Sequence, residues 1–102
     1  MLRRQGDLFI DDAKSIPSTA VKQSNGVLAE GELTGHRHQI EDLDGVIVYE
    51  HLGEWYVEVQ RDAARIVHEE HAAISLPLGT YRVWRQREYD PLRNRRDRLV
   101  LD

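Results

Sequence analysis

Polar and apolar residues alternate along much of this chain with the two-residue period of a β strand, and no stretch carries a clean 3.6-residue stripe. Gly6-Asp7-Leu8-Phe9-Ile10-Asp11-Asp12 reads as a short strand with a polar stop. Val27-Leu28-Ala29 reads as a second, following the Ser24-Asn25-Gly26 turn signal, where Asn-Gly favours a tight hairpin. In His36-Arg37-His38-Gln39-Ile40 the two histidines and Ile40 share one side. Val46–His51 and Trp55–Gln60 form the clearest hairpin, turned at Leu52-Gly53-Glu54, with Trp55, Val57 and Val59 opposite Tyr56, Glu58 and Gln60.

Residues 62–74 carry two signals. Ala63, Ala64, Ala72 and Ala73 with Glu69 and Glu70 suit a helix by propensity, whereas Ala64, Ile66 and His68 alternate as a strand does. The alternation predicts strand, a kink near Glu69-Glu70, then strand. Leu76-Pro77-Leu78-Gly79 reads as a type II turn. Thr80–Tyr89 is the longest predicted strand, stopped by Asp90-Pro91, and Leu99-Val100-Leu101 is a candidate edge strand. About eight short strands at this spacing predict one all-β domain over residues 1–102, a small barrel or sandwich.

A chain of 102 residues is one domain by length and long enough for a core without covalent staples. It has no cysteine, so a thiolate metal site and a disulfide framework are excluded, and a reducing cytoplasmic location is expected. Arg3 and Arg4 precede no apolar stretch of signal-peptide length, and no run is long enough to span a membrane. The net charge of −4 hides an asymmetry. Residues 82–98 carry seven arginines against three acids, and residues 41–62 carry seven acids against Arg61 alone. The two regions either pair with each other, internally or across a homodimer, or leave a basic face for a polyanion. Arg82, Arg85 and Arg87 interleave with Trp84 and Tyr89 in the manner of a single-strand nucleic-acid surface. Arg85 and Arg87 share one face and Arg82 and Trp84 the other. The acidic balance of the whole chain weighs against nucleic acid, and a solvated or ion-paired arginine face is the plainer reading.

Four of the five histidines fall in two short segments. His36 and His38 are two apart, so in a strand both imidazoles point one way. His68-Glu69-Glu70-His71 places two more three apart, which share a face on a helix, or on a strand only with a bulge. Imidazole is the commonest metal ligand, and with carboxylates at hand the clustering predicts a divalent ion, Fe, Mn, Ni or Zn, held by nitrogen and oxygen. If catalytic, such an ion would polarise a small-molecule ligand or activate water or dioxygen. His51 has no such companion and reads as a structural or surface histidine.

Gly31, His36-Arg37-His38, Glu41 and Pro77-Leu78-Gly79 together resemble the two motifs of the cupin superfamily. The resemblance implies a small β-barrel with His36, His38 and Glu41 as metal ligands. It departs where the family's last histidine would follow the Pro-x-Gly turn, since Arg82 stands there; His68 or His71 would have to supply the missing ligand. Glu41 also follows His38 too soon. The chain is similar as well to small bacterial proteins with a Gly-His-x-His segment, a His-x-Glu-His segment and a closing Gln-Arg-Glu-Tyr, a likeness that implies no activity.

Overall fold

The computed structural model describes residues 1–31 and 33–86. They form eight strands: β1 Arg3–Gln5, β2 Leu8–Asp12, β3 Val21–Lys22, β4 Val27–Glu30, β5 Arg37–Ile40, β6 Val46–His51, β7 Glu54–Val67 and β8 Ile74–Arg85. All pair antiparallel in one sheet of order β1-β2-β8-β7-β5-β4, with β6 also on β7 and β3 beyond β6. The all-β expectation therefore holds. The sheet is not closed, because β1 and β4 end it without pairing, and closure of a barrel requires its end strands to pair. Arg87, Tyr89 and the candidate strand at 99–101 lie outside the described residues. No helix among the described residues is long and apolar enough to cross a membrane.

β7 is the spine of the sheet. Its first half pairs β6 on one edge and β8 on the other; its second half pairs β8 and, through Gln39↔Val67 and Ile40↔Ile66, β5. The buried positions change from Val57 and Val59 to Ala64 and Ile66, from odd to even numbers. A strand makes that change only where an irregularity re-aims the side chains, and the β7–β8 register shifts between Val59 and Ala63. Residues 62–74 thus resolve as strand to Val67, a turn at His68–Ala73, and strand from Ile74. The core draws on β2, β4, β5, β6, β7 and β8, and includes Leu8, Leu28, Val57, Ile66 and Leu76 with no exposed surface. A single layer can bury these side chains fully only by curling over its own inner face.

Two turn expectations are corrected. Pro77-Leu78-Gly79 is not a turn but lies inside β8, where Pro77 pairs Ala63. β2 covers β8 only from Tyr81 onward, so Pro77 sits on an edge not covered by β2, where its missing N–H breaks no ladder. Asn25-Gly26 does not close a β3–β4 hairpin, because β3 pairs β6 and β4 pairs β5. Asn25 Oδ1 instead accepts the Val27 N–H at 3.0 Å. A Cβ on Gly26 would stand 3.0 Å from Ile40 Cβ, so the glycine permits close backbone approach to β5.

The predicted β6–β7 hairpin is present, with His51 paired to Glu54 across a two-residue loop. Leu52 and Gly53 have φ of 53° and 81°, as a type I′ turn demands at both central positions. Glycine accepts this conformation; leucine does not, and Leu52 is 86% exposed, so it gains little from packing. Leu52→Asn is expected to raise the unfolding free energy by about 1 kcal/mol, measured by urea denaturation.

Candidate functional site

The β1–β2 turn, the end of β7, the turn after it and the entry to β5 meet at one end of the sheet. Gln5 pairs with Leu8 across Gly6-Asp7, a two-residue loop whose Gly6 has φ of 60°. A Cβ on Gly6 would lie 2.6 Å from His71 Nε2, so glycine is needed both for the turn and for the approach of that ring. The loop delivers Asp7 to a pocket of about 180 Å³, lined by His36, His38, His68 and His71 with Gly31, Thr34, Glu70 and Arg85.

All four predicted histidines are brought together. The rings of His38 and His68 have centroids 4.3 Å apart, those of His68 and His71 4.6 Å, and those of His36 and His68 5.7 Å. β5 explains the first pair: His38 and Ile40 turn inward and are buried, and His36 stands half-buried just before the strand. β7 explains His68, which continues the inward series of Ala64 and Ile66 past the strand's end. The turn that follows brings His71 back over Gly6. Glu41 is not brought to the pocket. It lies just past β5, three residues from His38 and so on the other side of a strand, and pairs with Arg65 at 3.4 Å.

His38 is 4% exposed and Gln5 2%. Gln5 Nε2 donates to the carbonyls of Ile66 and Ala72, both at 2.9 Å. Those two acceptors fix the amide, so Oε1 must face His38, whose Nδ1 lies 2.8 Å away and donates to it. In the neutral ring the other nitrogen, Nε2, then carries a lone pair, and it faces Asp7 Oδ1 at 3.2 Å. Burial lowers the His38 pKa, the charge of His68 lowers it further, and Asp7 opposes both without reversing the direction. A neutral imidazole with Nδ1–H bonded to an amide and Nε2 open is the form in which histidine binds a metal. Two acceptors in contact, Nε2 and a carboxylate oxygen, also call for a cation between or beside them.

Burial raises the Asp7 pKa, but the hydrogen bond and charge of Arg85 outweigh it, so the carboxyl stays below its ordinary range. Arg85 Nε donates to Asp7 Oδ2 at 2.9 Å. His68 Nδ1 accepts the Glu70 N–H at 3.0 Å, so ligation by His68 has to displace that contact or the Nε2 proton. Glu69 accepts the Arg37 N–H at 2.9 Å, and this bond is the main reason its pKa is lowered. One donor atom each from His36, His68 and Glu69 lie within 4.8 Å of one another.

The arginine-bearing strand divides between faces as its alternation predicts. Arg82 binds Glu54 through Nε at 3.0 Å and Nη2 at 2.9 Å, and stacks 4.6 Å over Trp84, which in turn stacks on Phe9. That is the ion-paired reading of the basic and acidic regions. Arg85 turns to the histidine pocket, and Arg87 lies outside the described residues. His51 lies away from the pocket, near Thr19 Oγ1 at 2.9 Å and against the Tyr56 ring. Sequence reasoning missed Asp7 and Gln5. The signal that could have found them was Gly6-Asp7 between Arg3-Arg4-Gln5 and Leu8-Phe9-Ile10, a two-residue hairpin of the Gly-Asp kind.

No curated protein and no solved structure matches the chain. Residues 4–86, which take in all of β2 to β8, β1 from Arg4 and every residue of the pocket, match one family, and the chain belongs to it: the Domain of unknown function (DUF8820).

Proposed function

We propose that this domain binds one divalent metal ion through His36, His38 and His68, with a carboxylate from Glu69 or Asp7. The observation that carries the reading is the state of His38: a buried imidazole, its tautomer set by Gln5, with an unprotonated nitrogen directed at a carboxylate in a pocket lined by three more imidazoles. Nitrogen and oxygen donors suit Fe, Mn, Ni or Zn. The cupin likeness supports this chemistry through His36 and His38 and adds nothing from its second motif, since Arg82 faces away and pairs with Glu54. The cysteine-free composition supports a reducing compartment such as the cytoplasm.

The test is calorimetric titration of tag-free, chelator-treated protein with Zn²⁺ beside two variants. The expected result is one ion per chain in the wild type and loss of binding in H36A/H38A. Since His38 is buried and its removal also disturbs the fold, H36A/H68A is the second variant and must lose the ion while remaining folded. Undiminished binding in H36A/H68A overturns the proposal.

A further inference from the structure

We infer that the open side of this centre takes a small oxyanion, a carboxylate or a phosphate group, held by Arg85 and Thr34. The inference rests on the metal reading above and names the class of ligand that reading leaves open.

Arg85 is ion-paired as Arg82 is, but its partner Asp7 lies in the histidine pocket. Its Nε donates to Asp7 Oδ2 and its Nη2 to the Glu30 carbonyl at 3.1 Å. These two contacts fix the plane of the guanidinium. They use two of its five N–H donors, and Nη1 has no protein partner among the described residues. An arginine whose plane is set in this way presents its remaining donors in a fixed direction, the geometry suited to planar or tetrahedral oxyanions.

Thr34 supplies a second donor. Its Oγ1 accepts the His36 N–H at 3.1 Å, which occupies an acceptor site and leaves the hydroxyl hydrogen to donate. Gly31 makes room for it: a Cβ there would stand 2.8 Å from Thr34 Oγ1. The pocket wall on this side is therefore hydroxyl and bare backbone, with no apolar side chain. At about 180 Å³ the pocket has room for a small oxyanion. The Asp7 carboxylate does not repel such a ligand strongly, because it is paired with Arg85. A bound divalent ion would add the dominant attraction and leave the two donors to fix orientation.

The experiment uses the full chain loaded with Co²⁺, whose visible absorption reports a change of ligand at the metal. Loaded protein is titrated with inorganic phosphate, with acetate, and with acetamide as the neutral isostere of acetate. The expected result is a saturable spectral change with phosphate, acetate or both, and none with acetamide. A response to phosphate alone assigns that group, and a response to acetate alone assigns the carboxylate. Arg85→Gln and Thr34→Val are each first saturated with Co²⁺, and the anion is then expected to bind at least ~10-fold more weakly in Arg85→Gln. No Co²⁺ uptake by the wild type overturns the metal reading itself. Uptake of Co²⁺ with a spectrum indifferent to both anions, or with equal anion affinity in Arg85→Gln and wild type, overturns the oxyanion inference and leaves the metal reading standing.

Discussion

Gln5→Leu is expected to cost this domain about 3–5 kcal/mol, a large share of the ~5–15 kcal/mol that holds a typical domain folded. Leucine matches glutamine in length but makes no hydrogen bond. Its introduction leaves the carbonyls of Ile66 and Ala72 and the Nδ1–H of His38 without the partner they have now. Both side chains of the pair are buried, so water does not readily replace the lost contacts. Each orphaned group costs about 1–3 kcal/mol, and partial relaxation of the His68–Ala73 turn recovers some of the sum. Urea denaturation reads the loss of stability. Nitrogen-15 chemical shifts read the tautomer: Nδ1–H at His38 in the wild type, and a mixed or reversed form in the variant. A variant within 0.5 kcal/mol of wild type that keeps Nδ1–H at His38 would show that Gln5 pins nothing.

The network around Gln5 also marks the limit of what was legible in the chain. The four histidines were readable because they cluster in sequence, and strand alternation put His38 inward beside Ile40. The strand–turn–strand course of 62–74 was readable because Ala64, Ile66 and His68 alternate; the alanines and glutamates that argue for a helix are exposed or in the turn, apart from Ala64 in the core. Glu41 was misjudged by motif spacing where strand parity, three residues from His38, argued against it. Asp7 and Gln5 were not legible as site residues at all. They reach the pocket only because β2 pairs β8 in the register Leu8↔Arg85, and pairing between segments more than 70 residues apart leaves no local trace. Gly6-Asp7 reads in the sequence as the start of a strand, and nothing in the chain says what that turn touches. Pro77-Leu78-Gly79 was misread for a related reason: a proline is excluded from a strand only if its missing donor faces a neighbour, and the extent of β2 decides that.

Saturating the folded protein with Zn²⁺ is expected to raise its thermal midpoint strongly at pH 7.5 and not at all near pH 5. An ion that binds only the native state stabilises it by about 2.7 kcal/mol at 100 times its dissociation constant, which in a domain of this size is roughly 10–20 °C. The pH dependence follows from the ligands, since an imidazole binds metal only when deprotonated and ordinarily takes up its proton near pH 6.5. The apo protein has its own slope in the same window. The His38 pKa is depressed in the fold, first by burial, so between the ordinary value and the lower folded one the unfolded chain binds the extra proton. Stability from this site is therefore complete above about pH 6.5 and is lost as pH falls through the folded value. Asp7 is also depressed, because Arg85 outweighs the burial that raises it, and its contribution is lost at lower pH, below the ordinary aspartate range. The Zn²⁺-induced shift, measured as the difference between melting curves with metal and with chelator, separates these effects from binding. H36A/H68A should lose the metal shift and keep a shallower apo slope, because burial still depresses His38 while the charge of His68 is gone. An equal shift at pH 5 and 7.5, or a full shift in that variant, would place any bound ion on groups other than these imidazoles.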